Sequence, residues 1–233
     1  MKYYALICAR GGSKGLKNKN LKKINNVHLV GHSIKIARSI KKIEKVIVST
    51  DSLEISKVAK KYGAEVPFIR PKKISTDKSK EIDVWKHAIN YYKNKNIKFD
   101  ALISLPCTSP LRVKEDIIRC INLFEEGTYD TVITIKDSHR NPYFNMVKKV
   151  GNYFKIANKS KHYIHNRQDA PKLFDVCTVC YISKCNFVTK SENLFQGKVG
   201  AVKIPINRSL DIDTHEDYEI AKFLYEKNIK YKF

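Results

Sequence analysis

The sequence predicts an α/β fold of three layers, α/β/α, with helices on both faces of a mostly parallel central sheet and an extended arm inserted late in the chain. Two observations carry this. Short apolar runs alternate with segments of helical periodicity, the rhythm of βαβ units. The first run ends in a basic, glycine-rich turn, the kind of loop that gathers beyond the carboxyl ends of parallel strands. With 233 residues the chain supplies one sizeable core and an appendage, so residues 1–233 are expected to form a single domain.

Taken in order, residues 3–9 form a nearly unbroken apolar strand, as burial on both faces of a parallel sheet requires. A helix around residues 32–41 follows, then a strand at 45–49, a helix over 52–62 and a further strand at 64–68. Residues 80–92 place Ile82, Trp85, Ala88, Ile89 and Tyr92 on one helical face and lead into a strand at 101–105. A helix at 114–125 and a strand at 131–135 continue the alternation. From about 140 to 172 the periodicity breaks into Asn-Pro-Tyr-Phe-Asn, short β-like pieces and polar turns, which reads as the arm. Strands at 178–182 and 198–203 and a closing helix at 214–225 complete the chain. Thr214-His215-Glu216-Asp217 resembles a capping box at the start of that helix.

The turn after the first strand, Ala9-Arg10-Gly11-Gly12-Ser13-Lys14-Gly15, followed by Lys19-Asn20-Leu21, combines flexible backbone, N–H donors and fixed positive charge. Glycines let the main chain approach oxygens closely and adopt positive φ, while the basic side chains neutralise phosphate, so the loop points to a nucleotide. It has neither the Walker spacing nor the dinucleotide pattern Gly-x-Gly-x-x-Gly, which disfavours two common nucleotide-binding families.

A formal charge of +22, from 45 Lys and Arg against 23 Asp and Glu, favours anionic partners. The lysines are scattered as pairs along presumed helix faces without an aromatic-rich signature, which argues against specific nucleic-acid binding. The six cysteines are dispersed instead of framing a small disulfide scaffold, and Cys177-x-x-Cys180 has no partner pair at zinc spacing and lies in a run that reads as a buried strand. No stretch has the apolar length of a signal sequence or membrane span, so a cytoplasmic protein is expected.

Other strand-end segments should complete the pocket: Ser49-Thr50-Asp51, Arg70-Pro71, Pro106 to Arg112, and Leu210-Asp211-Ile212-Asp213. Asp211 and Asp213 are two apart, which in an extended segment turns both carboxylates to one side, as a Mg²⁺ ion on phosphate oxygens requires; Asp213 could equally cap the last helix. Thr108, Ser109 and Arg112 could meet a polar substrate or simply launch the helix at Lys114. Arg167-Gln168 offers a planar partner for a carboxylate or phosphate in the arm.

Together these motifs, in this order along nearly the whole chain, resemble the cytidylyltransferases that activate nine-carbon acidic sugars, the CMP-sialic acid synthetases and their legionaminic and pseudaminic acid relatives. The resemblance implies a Rossmann-like nucleotidyltransferase. CTP would lie across Ala9, Arg10, Gly11, Gly12, Ser13 and Lys14, with Lys19 also on phosphate and Asn20 and Arg70 nearer the nucleoside. Asp211 and Asp213 would hold Mg²⁺, and Arg10, Lys19 and Asp211 would be catalytic, Asp211 as a candidate proton acceptor. Thr108, Ser109, Arg167 and Gln168 would serve the sugar, the last two across a homodimer interface formed by the arm. The same reaction on the shorter keto-deoxy-octulosonate is the near alternative, and a basic nucleic-acid-binding module the alternative from another class.

Three positions depart from the sialic acid branch. Pro106 stands where a glutamine commonly faces the sugar, Cys177-Thr178 replaces Asn-Gly, and Lys78-Ser79-Lys80-Glu81 lacks a small, hydroxyl-rich helix start. Asn141-Pro142-Tyr143-Phe144-Asn145 is closer to the legionaminic branches, or is a turn anchoring the arm.

Overall fold

A computed structural model describes residues 1–160, 162 and 164–227. The elements run β1 (Tyr3–Cys8), β2 (Lys23–Ile24), β3 (Val27–His28), α1 (Leu29–Arg38), β4 (Ile43–Ser49), α2 (Leu53–Lys61), α3 (Glu81–Lys93), β5 (Ala101–Ser104), α4 (Lys114–Glu125), β6 (Thr131–Asp137), β7 (Val147–Val150), β8 (Tyr153–Ile156), β9 (Phe174–Lys184), α5 (Cys185–Lys190), β10 (Val199–Lys203) and α6 (His215–Lys227). The main sheet has the order β10-β6-β9-β5-β1-β4. Every pairing in it is parallel except those of β9, which runs antiparallel to both β5 and β6.

Alternation along β1 builds two cores from one strand. Tyr3, Ala5 and Ile7 face a core shared with Ile34 of α1, Ile55 of α2, Ile117 of α4 and Ala221 of α6. Tyr4 and Leu6 face the opposite one, with Trp85 and Ile89 of α3 and Val188 of α5. Two faces, each covered by helices, give the expected three layers.

Several boundaries differ from the periodicity reading. The segment at 64–68 is no strand: it makes only single bridges, Ile47 with Glu65 and Thr50 with Ile69. Pro67 lies between them and has no N–H to donate to a ladder. The first helix starts at Leu29, three residues before the expected His32, because Leu29, Val30 and Gly31 are all buried. The short helix α5 was not expected. Thr214 and Asp217 do form the reciprocal cap of α6: Asp217 accepts from Thr214 N at 2.8 Å and Thr214 Oγ1 accepts from Asp217 N at 3.2 Å.

The arm contains a separate antiparallel hairpin, β7 with β8, and residues 161 and 163 within it lie outside the described residues. Asn141-Pro142-Tyr143-Phe144-Asn145 forms a turn at its base: Asn141 Nδ2 donates to Pro171 O at 2.8 Å, and Asn158 N donates to Pro142 O at 2.8 Å. Cys177 and Cys180 sit buried in β9, where Thr134 Oγ1 donates to the Cys177 carbonyl at 2.7 Å. No helix among the described residues is long and apolar enough to cross a membrane.

Candidate active site

The glycine-rich loop is pinned from three sides. Ala9 N donates to Ser49 O at 3.0 Å, Gly11 N to Asp51 Oδ1 at 2.9 Å, and Asn20 Nδ2 to Arg10 O at 2.9 Å. The glycines do not supply positive φ as expected; in this stretch that conformation belongs to Asn18, at φ 54°. What they supply is closeness. A Cβ on Gly15 would stand 2.4 Å from the carbonyl oxygen of Asp213, and one on Gly11 would stand 3.2 Å from Ser52 Cβ.

The segment after β10 meets that loop across the cleft. Ile212 is wholly buried and its N–H donates to Thr108 O at 2.9 Å, which fixes the two flanking aspartates. Lys19 Nζ donates to Ile212 O at 2.6 Å and lies 3.1 Å from Asp213 Oδ1. Because Thr214 and Asp217 cap α6, the Asp213 carboxylate is not needed as its cap. Asp211 Oδ1 is buried with no partner in the protein.

Between loop and acidic segment lies a cleft of about 520 Å³, lined by Arg10, Ser13, Lys14, Gly15, Lys19, Asn20, Arg70, Thr108 and Asp213, among others. Arg70 is 5% exposed, and its Nε and Nη2 are buried without a partner. A buried guanidinium left unpaired is costly, so it points to a ligand that completes it. Arg10 and Lys14 are already occupied: both pair with Asp77, Lys14 at 2.5 Å. These cations, Lys14 foremost, hold the Asp77 carboxyl below the usual carboxylate range. The thiols of Cys8 and Cys107 also line the cleft, and burial pushes Cys107 up to about 12, so it stays protonated and is no nucleophile.

Not every expected residue faces this space. Ala9 is fully buried beneath the loop, and Gly11 and Gly12 belong to its backbone frame and do not line the cleft. Ser109 is fully buried with Oγ 2.7 Å from Thr178 Oγ1, so it buttresses β9 from below. Arg112, 3% exposed, donates to Pro106 O, Ser33 Oγ and Thr178 O, and therefore staples strand ends together instead of meeting substrate. Arg167 and Gln168 lie exposed on a short 3₁₀ turn of the arm and line neither the cleft nor the second cavity described below.

Sequence reasoning missed a second cavity of about 450 Å³, lined by Ile82, Trp85, Ile133, Val176, Tyr181, Leu194 and Phe195 with Lys80, Glu81, Glu192 and Asn193. Trp85 had been accounted for as helix core, and Leu194 and Phe195 fall in an irregular stretch with no periodicity to mark them. Glu81 lines both cavities. Its Oε1 accepts from Ser104 Oγ at 3.0 Å and Trp85 Nε1 at 3.2 Å. Crowding by surrounding protein raises its carboxyl above the ordinary value, against the pull of those two donors.

This cleft lies beyond the carboxyl ends of parallel strands, where α/β folds collect their ligands. The family model described as Cytidylyltransferase matches residues 4–232, and the chain belongs to that family. It is 37% identical over 231 residues to post-translational flagellin modification protein B of Campylobacter coli, covering 97% of this chain and 96% of that one. It is 36% identical over 229 residues to the CMP-N,N'-diacetyllegionaminic acid synthase of Campylobacter jejuni, covering 97% and 96%. In fold it is similar to a CMP:2-keto-3-deoxy-manno-octonic acid synthetase solved with CTP, with TM-score 0.71, 16% identity, and 97% and 99% of the two chains covered.

Proposed function

We propose that this enzyme transfers the cytidylyl group of CTP to the anomeric hydroxyl of an acidic nine-carbon sugar of the legionaminic, pseudaminic or sialic kind, releasing pyrophosphate. One observation carries the reading: a cation-lined cleft suited to a triphosphate opens at Glu81 onto an apolar cavity suited to an acyl-bearing sugar. A relative that is 36% identical is named for such a product, CMP-N,N'-diacetyllegionaminic acid.

Arg10, Ser13, Lys14 and Lys19 bind the phosphates, and Asn20 and the unpaired Arg70 guanidinium meet the nucleoside. Asp211 and Asp213 fit Mg²⁺, since hard carboxylate oxygens suit it and Asp211 Oδ1 is a buried acceptor with nothing to accept from. Mg²⁺ bound there would offset charge on the phosphate oxygens. The anomeric oxygen attacks the α-phosphorus, the bond to the β-phosphate oxygen breaks, and pyrophosphate leaves with that electron pair. The hydroxyl proton goes to Asp211. Alignment of attacking oxygen and leaving group, with Arg10 and Lys19 against the developing charge, is the main contribution of the protein.

Val147, Tyr153 and Phe154 of the arm hairpin are exposed apolar residues, which supports a homodimer in which the arm brings Arg167 and Gln168 to the partner's sugar, while Thr108 serves the sugar of its own cleft. A CTP-consuming enzyme of this kind belongs in the cytoplasm, with no specific nucleic acid or membrane as partner. Purified protein with CTP and Mg²⁺ should release pyrophosphate only when an acidic nonulosonic sugar is added; no release with any such sugar rejects the reading.

A further inference from the structure

Glu81 opens α3 directly after Lys80 and forms no ion pair among the described residues, although Arg70 is near enough to act on its charge. Its side chain turns inward over the sheet edge, where Ser104 Oγ and the indole N–H of Trp85, which can only donate, both converge on Oε1. Two donors on one oxygen fix the carboxyl group, and they leave Oε2 without a hydrogen-bond partner among the described residues. The group stands where the nucleotide cleft and the second cavity meet.

We propose that Glu81 orients the sugar: its carboxylate accepts a hydroxyl or amide N–H of the substrate at the junction of the two cavities. The proposal rests on the function assigned above. The second cavity carries Lys80 beside Glu192, so its apolar lining, and not its charge, selects the end of the sugar that enters. The end that enters presents N-acyl groups to Trp85, Tyr181, Leu194 and Phe195 and donors to Glu81. That orientation separates sugars by where their donors lie, because a fixed acceptor left without a donor is penalised far more than an apolar wall missing a methyl group.

The test is steady-state kinetics of Glu81→Ala and the isosteric Glu81→Gln with N,N'-diacetyllegionaminic, pseudaminic and N-acetylneuraminic acids at saturating CTP, together with calorimetric CTP binding without sugar. The sugar that wild type prefers should show a KM raised about tenfold or more in the alanine variant. The glutamine variant, which keeps an acceptor but loses the charge, should fall between. CTP affinity should stay within about twofold of wild type, and the preference among the three sugars should narrow, which loss of packing alone would not produce. An unchanged sugar KM in both variants, or CTP binding weakened in parallel with it, overturns the role of Glu81 while leaving the reaction assignment standing. Wild-type protein inert toward all three sugars removes the reaction assignment and this proposal with it.

Discussion

Lys19 Nζ donates to the Ile212 carbonyl at 2.6 Å and lies 3.1 Å from Asp213 Oδ1, a link across 194 residues of chain. It joins the glycine-rich loop to the acidic segment, and Gly15 packs against the Asp213 carbonyl beside it. The two sides of the cleft are thus held at a fixed separation by one ammonium group and one absent side chain.

Gly15→Ala should break that closeness. A methyl group 2.4 Å from the Asp213 carbonyl cannot be accommodated unless the loop or the acidic segment moves. The φ at Gly15 is not positive, so the effect is steric and local. Displacing one side of the cleft should lower kcat/KM by about 100-fold, while a thermal melt shifts by a few degrees only. Unaltered kcat/KM would show that the contact does not set the site.

Asp77 pairs with both Arg10 and Lys14, two of the cations proposed above to bind phosphate. CTP must displace it, so Asp77→Asn should bind CTP severalfold more tightly by calorimetry, and the gain should shrink as salt is raised. Arg10→Ala should weaken CTP binding in the same assay. Equal or poorer affinity in Asp77→Asn would mean the pair does not compete with nucleotide.

Asp211→Asn tests the metal assignment. The amide keeps the shape of the side chain but removes the anionic oxygen, so turnover in Mg²⁺ should fall by about 100-fold or more with the melting temperature held or raised. Wild-type turnover in this variant would remove Asp211 from the site chemistry.

His32 should make stability pH-dependent. Burial, chiefly, lowers its pKa to about 4, with Lys35 and Arg112 adding repulsion against the hydrogen bonds to Ile24 O and the Val27 backbone. Below the unfolded value of about 6.5 the unfolded chain takes up a proton that the folded chain refuses, so stability is lost as pH falls from about 6.5 toward 4, by up to roughly 3 kcal/mol. Urea titrations across that window should show a shallower loss in His32→Gln than in wild type; identical slopes would exclude His32 as the source.

Much of the fold was legible because burial writes itself into periodicity. The helix at Lys114–Glu125 was read to the residue, and the strands around Tyr3, Ala101 and Val199 to within a residue or so. The failures have local causes. Pro67 blocks a ladder that the apolar character of its neighbours suggested, and Gly31 hid the true start of α1. The antiparallel direction of β9 leaves no mark in sequence, since a strand buried on both faces looks the same in either direction.

In the site the division is similar. Residue types and order along the chain determined that a basic glycine-rich loop, an arginine before Pro71 and two spaced aspartates exist, because their chemistry is carried by the side chains themselves. Only the tertiary structure decided what each could reach. It committed Arg112 and Ser109 to holding strand ends, gave Arg10 and Lys14 to Asp77, left Arg70 unpaired, and set Glu81 between two cavities. Such partnerships depend on distances across the sheet edge, and contacts between residues far apart in sequence are fixed by packing, which no local pattern encodes.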